Sequence, residues 1–186
     1  MSEVTPSQPG DAYRMRGFSL LEIMLVLALV ALLSTLALPA YQGLLQRWAL
    51  SREAQTLADD LRHARTQALA RGQAVSICPS LDGLSCASHT DWGQGWLIFL
   101  DADANRLVSA SETVLYQHRV TPVVRSISSN SGAARAGLTY QPNGQARAAG
   151  QAITLSGTGP RPLIRLVCVS MQGRASVRPE GQSQCA

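Results

Sequence analysis

The chain contains no lysine: all sixteen of its basic residues are arginine. That absence excludes a P-loop, whose lysine reaches the outer phosphates, and any Schiff-base or pyridoxal chemistry on a lysine amine. Aromatic residues are scarce at 5%, and charged residues make up only 15% of the chain. Set against 46% hydrophobic residues, this composition excludes a disordered polyampholyte. No Cys-x-x-Cys pair occurs and His63, His89 and His118 are scattered, so no metal site is expected through these residues. Nor is there a Gly-x-Ser-x-Gly elbow or any nucleophile–base–orienter set. Neither catalysis nor a cofactor is expected. The length of 186 residues suits one domain with a sizeable core.

Apolar residues are concentrated near the N-terminus. Residues 1–17 are polar and rich in turn formers, and they end in Arg14, Arg16 and Gly17. Residues 18–40 then form an apolar run, with no polar side chain between Ile23 and Leu33 and only Ser34 and Thr35 before Pro39. As a helix this run would measure ~35 Å, enough to span a bilayer with some tilt. Arg14 and Arg16 then predict a cytoplasmic N-terminus and an exported remainder, a single-pass inner-membrane arrangement. A secretory signal peptide fits poorly, because the run is too long and no small-x-small cleavage site follows it. A plain anchor leaves Glu22 unexplained, since a carboxylate in such a run costs up to ~3 kcal/mol at mid-membrane.

Gly17, Phe18 and Glu22, with Ser19 between, resemble the type IV pilin motif: a glycine cut site, then Phe, then Glu as the fifth mature residue. Pro39 falls where many pilins carry a helix-kinking proline. The resemblance implies that a prepilin peptidase cuts after Gly17 and N-methylates Phe18. Cleavage creates a cationic amine that can neutralise Glu22 of a neighbouring subunit inside an apolar filament core, where a charge needs a partner.

Beyond the apolar run, residues 41–71 contain no proline, only Gly43 among glycines, and many strong helix formers. Leu50, Ala54, Leu57, Leu61, Ala64 and Ala68 recur at helical spacing and predict one apolar stripe. Gly72 is a plausible stop. The two segments together predict a helix of about 54 residues, roughly 80 Å. After Gly72 the period changes, and strands are expected at 73–78, 96–100, 114–120, 137–141, 152–155, 163–170 and 175–177. Clusters at 128–132 and 157–160 read as turns. No helical pattern lies between neighbouring strands, so they are expected to pair antiparallel.

The expected fold class is therefore α+β and type IV pilin-like. A long N-terminal helix, its first half transmembrane, packs on a C-terminal antiparallel β domain. The expected division is a leader at 1–17, a transmembrane and filament-core segment at 18–40, an amphipathic helix half at 41–71 and the β domain at 72–186. Cys78, Cys86, Cys168 and Cys185 are expected to form disulfides in an oxidising compartment. Four cysteines allow three connectivities, and sequence does not choose among them. The local pairs Cys78–Cys86 and Cys168–Cys185 are favoured because each would staple a Gly/Ser-rich loop.

The segment 65–77, then Cys78, then residues 91–99 with Asp101 following, and a late Gly173-Arg174 turn, look like the GspH/FimT branch of pilin-like proteins. This implies a minor pilin or pseudopilin that helps to initiate or cap a filament. The alternatives are a type II secretion pseudopilin of a periplasmic pseudopilus and a minor pilin that captures double-stranded DNA for uptake. Implied partners are prepilin peptidase, other minor and major pilins, the inner membrane and, in the DNA reading, the duplex itself.

Charge is segregated along the chain. Eight arginines and no acid lie between Thr113 and Pro179, whereas five acids and Arg106 alone lie between Asp82 and Glu112. A basic surface can hold a polyanion through phosphate contacts without reading sequence. DNA-binding FimT-type proteins carry Gly-Arg-x-Arg near the C-terminus. Here Gly173 and Arg174 match, Ser176 replaces the second arginine, and Arg178 lies two residues further on the same face of an extended strand. The bland alternative spreads these arginines over several strands and loops. In the acidic stretch, Asp101, Asp103, Asn105 and Glu112 occupy four positions of an EF-hand-like loop, but Arg106 stands where that loop needs glycine. An ordinary polar turn is the expected reading there. Trp92 and Trp96 are read as core.

Overall fold

The computed structural model describes residues 18–122, 124–130, 137–147, 151–158, 163–182, 184 and 185. Among these residues one helix, α1 (Leu20–Arg71), precedes nine strands. Ser19 caps its N-terminus: the Ser19 hydroxyl accepts the Glu22 N–H at 3.2 Å, which satisfies a donor that the helix cannot satisfy itself. The helix stops at Gly72, whose φ of +63° suits the left-handed exit. The Gly72 N–H donates to the Ala68 carbonyl at 3.0 Å.

The chain divides into two compact units, Met1–Tyr41 and Gln42–Ala186. In the first unit Phe18, just before α1, and the large apolar side chains of α1 are exposed, among them Leu20, Leu21, Met24, Leu25 and Leu27. The transmembrane expectation is corrected here. Among the described residues no helix is long and apolar enough to cross a membrane. The reason lies in the interruptions of the run. Glu22 places a carboxylate in the first turn of α1. At the far end the hydroxyls of Ser34 and Thr35 bond back to the Val30 and Leu32 carbonyls, each at 2.7 Å. The strictly apolar stretch between, residues 23–33, makes ~17 Å of helix against a hydrocarbon core of ~30 Å. The single-pass inner-membrane localisation falls with it.

In the second unit the strands are β1 (Val75–Pro79), β2 (Gly95–Leu100), β3 (Val114–Arg119), β4 (Val124–Ser129), β5 (Leu138–Tyr140), β6 (Ala146–Arg147), β7 (Gln151–Gly157), β8 (Ile164–Val169) and β9 (Ala175–Val177). They form two sheets, ordered β3-β2-β1-β5-β6 and β4-β7-β8-β9. Every pairing is antiparallel. Leu50, Ala54, Leu57, Leu61, Ala64 and Ala68 are all buried, and they share a core with Ile77, Ile98, Trp92, Trp96, Ile127, Leu155 and Val167. The small residues of this stripe let the helix backbone lie close to the sheets.

β7 alternates buried and partly exposed positions, the signature of a strand with one face inward. β1 is buried at every position. Its second face is covered by a smaller cluster in which Cys78, Leu97 and Phe99 pack with Cys86, Val108 and Val114. Trp96 closes the joint between helix and sheet, its indole N–H donating to Asp60 Oδ2 at 2.8 Å. The structure adds two strands that the sequence pattern does not announce. β4 (Val-Arg-Ser-Ile-Ser-Ser) is rich in turn-forming serine, yet Val124 and Ile127 are buried and the strand pairs with β7. β6 is only two residues long and exists through its pairing with β5.

Candidate functional site

Two regions carry the candidate functional residues. The first is the start of α1. Gly17 lies outside the described residues. Phe18 and Ser19 precede the first helical turn and are exposed, and Glu22 occupies the third helical position. That position gives Glu22 a local role beside the one implied by its motif, because a carboxylate in the first turn complements the positive end of the helix.

The second region is built where two turns meet. The turn after β5 and the turn after β8 are distant in sequence but touch in space. The Ala146 N–H donates to the Met171 carbonyl at 3.3 Å. Gly173 holds the joint: its φ is +77°, and a Cβ there would sit 2.4 Å from the Gly144 carbonyl oxygen and 3.0 Å from the Tyr140 ring. Helix α1 holds the first turn and the start of β9, just after the second turn, from beneath. The Arg65 guanidinium donates to the Gly144 carbonyl at 3.0 Å. That of Arg62 donates through Nε and Nη2 to the Ala175 carbonyl at 3.3 and 3.1 Å. The fork geometry of arginine suits this two-nitrogen grip on one oxygen.

The joined turns border two open grooves. The larger, about 860 Å³, is lined by Arg174, Ser176 and Arg178 along β9 and by Cys168, Cys185, Ser170 and Gln172 around them. Cys168 and Cys185 are joined as a disulfide with a Cα–Cα distance of 5.7 Å, which ties the C-terminal tail to β8 as one wall. The smaller groove, about 220 Å³, is lined by Gln141, Gln145, Ala146 and Arg147. Met171 and Gln172 border both grooves and form the ridge between them. Both ridge residues are exposed, Met171 to 66%.

Three arginines of the basic half thus gather on adjoining grooves: Arg147, Arg174 and Arg178. Gly173 is buried and serves the backbone joint. The other described arginines of that half point elsewhere. Arg119 is exposed on β3 and Arg125 on β4. Arg165 donates to the Ser51 hydroxyl at 2.9 Å and pairs with Glu180 at 3.2 Å. Its guanidinium lowers the Glu180 carboxyl below the usual range. Arg135 and Arg161 lie outside the described residues. Arg147, Gln145 and Met171 carry no motif, and the contact between the two turns brings Arg147 and Gln145 onto a groove that shares Met171 and Gln172 with the Arg174 groove.

The acidic stretch is a set of turns. Side-chain oxygens of Asp101, Asp103 and Glu112 lie within 4.8 Å of one another. Asp101 is buried and accepts the Ser76 hydroxyl, the Asn105 N–H and the Arg106 N–H, the last two at 3.0 Å. Burial raises its carboxyl above the ordinary aspartate value, and the Ser76 bond opposes that rise. Glu112 accepts the Ala102 and Ser109 N–H groups at 3.0 and 2.9 Å. The carboxylates shape the loop by taking its backbone donors. Exposed Asp82 does the same at the Cys78–Cys86 disulfide loop, where the N–H groups of Leu84 and Ser85 hold its carboxyl well below the usual range. Trp92 and Trp96 are fully buried.

The fold and these sites define a pilin-like subunit. The profile of the family described as type II transport protein GspH matches residues 53–173, and the prokaryotic N-terminal methylation motif matches residues 13–38. The chain therefore belongs to the GspH family of pilins and pseudopilins and carries the prepilin methylation motif. It is 30% identical over 164 residues to the pilin-like protein PilA1 of Thermus thermophilus, covering 86% of this chain and 96% of that one. It is also 44% identical over 59 residues to the type II secretion system protein H of Xanthomonas campestris, covering 32% and 35% of the two chains. In fold it matches the type IV minor pilin FimU of Pseudomonas aeruginosa with a TM-score of 0.57 at 23% identity, over 73% of this chain and 92% of that one. These relatives are pilin-like proteins and proteins of the type II secretion system, and the chain belongs to their family.

Proposed function

We propose that this chain is a minor pilin of a type IV pilus that helps to initiate or cap the filament. In this reading a prepilin peptidase removes residues 1–17 by cutting after Gly17 and methylates the new amine of Phe18. Residues 18–40 enter the filament core, 41–71 form the amphipathic half of the helix, and 72–186 form the exported β domain. The observation that carries the reading is the exposed apolar surface at the start of α1, where Phe18, Leu20 and Leu21 are 76%, 81% and 76% exposed. A contiguous surface of this kind marks a contact with other macromolecules. Once it is buried among the helices of other pilins, Glu22 needs a positive partner. In this reading the methylated Phe18 amine of a neighbour supplies one.

Mass spectrometry of assembled protein tests processing: the expected chain begins at methylated Phe18, and an intact leader overturns the cleavage. Glu22→Ala is expected to reduce recovery of the chain in sheared filaments, with the melting temperature of the β domain unchanged. Normal recovery would remove the charge-pairing argument. The pseudopilin reading is supported by the GspH profile, and the pilus reading by likeness to PilA1 over nearly its whole length. Deletion of the gene separates them. Lost piliation supports the pilus, whereas intact piliation with lost protein secretion moves the chain to a pseudopilus.

One observation favours an added role in capturing duplex DNA, namely the gathering of Arg147, Arg174 and Arg178 on adjoining grooves. Binding of duplex by the purified full chain should weaken steeply with salt and drop in an Arg174→Gln/Arg178→Gln double variant. No binding at low salt would leave the basic half as a subunit-contact surface.

A further inference from the structure

We propose that the Arg147 groove is a second phosphate-binding subsite, and that one phosphodiester chain crosses both grooves over the Met171–Gln172 ridge. The proposal rests on the reading that the larger groove takes DNA, and it extends that site to residues no motif marks.

Continuity of the two grooves is the first argument. They share Met171 and Gln172, and the turns that carry them are bonded through Ala146 and Met171. The helix arginines Arg65 and Arg62 hold the turn after β5 at the Gly144 carbonyl and the start of β9 at the Ala175 carbonyl, tying both subsites to the same helix. A preformed pair of subsites loses little ordering entropy when a long ligand binds.

The second argument is the chemistry of the lining. Among the described residues, every charged side chain that borders either groove is an arginine, and Gln141, Gln145, Gln172, Ser170 and Ser176 add neutral hydrogen-bonding groups. Guanidinium forks match phosphate oxygens in bidentate fashion. Arg174 and Arg178 stand four residues apart on extended chain, ~13 Å, the rise of about four base pairs of duplex. Arg147 continues the row of positive charge beyond the ridge. A linear ligand of uniformly high charge density satisfies such a row, whereas an acidic protein surface meets it only at scattered points. Exposed Met171 between the arginines offers an apolar contact to the sugar and base edges, as apolar wedges do in minor-groove binders.

The test is duplex binding by the full chain across a salt series, for wild type, Arg147→Gln, Met171→Ala and Arg174→Gln/Arg178→Gln. Arg125→Gln on β4 controls for loss of net charge at an exposed arginine outside the grooves. The expected result is that Arg147→Gln weakens binding and lowers the slope of log K against log salt by about one, while Arg125→Gln leaves the slope unchanged. Met171→Ala is expected to weaken binding with no change in slope, and melting curves should show all variants folded. If wild type binds and the double variant fails, but Arg147→Gln matches Arg125→Gln, the second subsite is overturned and the DNA reading survives. If wild type does not bind duplex, the DNA reading falls and the subsite with it. If polyglutamate binds with the same arginine dependence while duplex does not, the grooves serve an acidic protein partner, which also overturns the proposal.

Discussion

The imidazole Nε2 of His118, on β3, lies 2.6 Å from Oε1 of Glu53, on α1. Glu53 is 4% exposed, and its other oxygen accepts the Thr121 hydroxyl at 3.3 Å. The same imidazole stacks on Trp96 with ring centroids 4.3 Å apart. Two turns further along α1 the Trp96 indole reaches Asp60. Helix and sheet are therefore joined by a polar seam laid across an otherwise apolar core.

Removing one partner of that seam strands the other without its partner. His118→Ala leaves the buried Glu53 carboxylate without its imidazole, and a loss of about 3 kcal/mol or more is expected. Chemical denaturation of His118→Ala, Glu53→Gln and the double variant measures the coupling. A double variant no less stable than the worse single variant is the expected pattern, since the cost lies in the unpaired charge. Strictly additive losses would show that the two groups act independently.

Asp60 predicts a pH effect of definite sign. Burial raises its carboxyl above the ordinary value of 3.8, against opposing contributions from the Trp96 bond and from His118 and His63. A folded-state value above the unfolded one means that the charged form is the disfavoured one in the folded protein. Its cost therefore begins as pH rises past 3.8 and is complete above the raised folded value. Asp60→Asn keeps an oxygen for the indole and removes the charge. Its melting temperature relative to wild type should be higher at pH 7 than at pH 3. A variant equally destabilised at both values would show that ionisation of Asp60 does not matter to the fold.

Gly173→Ala tests the joint under the grooves. The new methyl would meet the Gly144 carbonyl oxygen at 2.4 Å in a backbone conformation of φ +77°. A destabilisation of about 2 kcal/mol or more is expected. Gly181→Ala, where φ is +88° but nothing lies within 4 Å, shares the backbone strain without the collision and should cost less.

The two disulfides close loops of different size, with sequence separations of 8 and 17. Loop-closure entropy assigns about 2.5 kcal/mol to the Cys78–Cys86 pair and about 3 kcal/mol to the Cys168–Cys185 pair. Paired Cys→Ser variants compared by denaturant midpoints check both values. The Cys168→Ser/Cys185→Ser variant should also bind less duplex, because its tail no longer walls the larger groove.

Local pattern made part of this architecture legible. Leu50, Ala54, Leu57, Leu61, Ala64 and Ala68 recur at helical spacing, and the same six residues form the buried face of α1. Trp92 and Trp96 could be read as core because the chain has few other large aromatics to fill one. Sequence was less informative where local composition opposes tertiary context. The serines of β4 look like a turn, and only pairing with β7 makes them a strand. Along residues 18–40 the length of the apolar run suggests a membrane span, while the Glu22 carboxylate and the Ser34 and Thr35 hydroxyls confine the strictly apolar stretch to less than a bilayer.

The sequence by itself determined the class of protein, since the Gly17-Phe18 junction, Glu22 and the order of helix then strands are local features read along the chain. Only the tertiary structure decided which arginines share a surface. Arg147 and Arg174 are brought together because Gly144 and Gly173 let two turns touch. Exposed Arg62, which also pairs with Asp59, and half-buried Arg65 reach across from α1 to the Ala175 and Gly144 carbonyls. Such contacts depend on the packing of elements distant in sequence, and no local propensity or spacing encodes them.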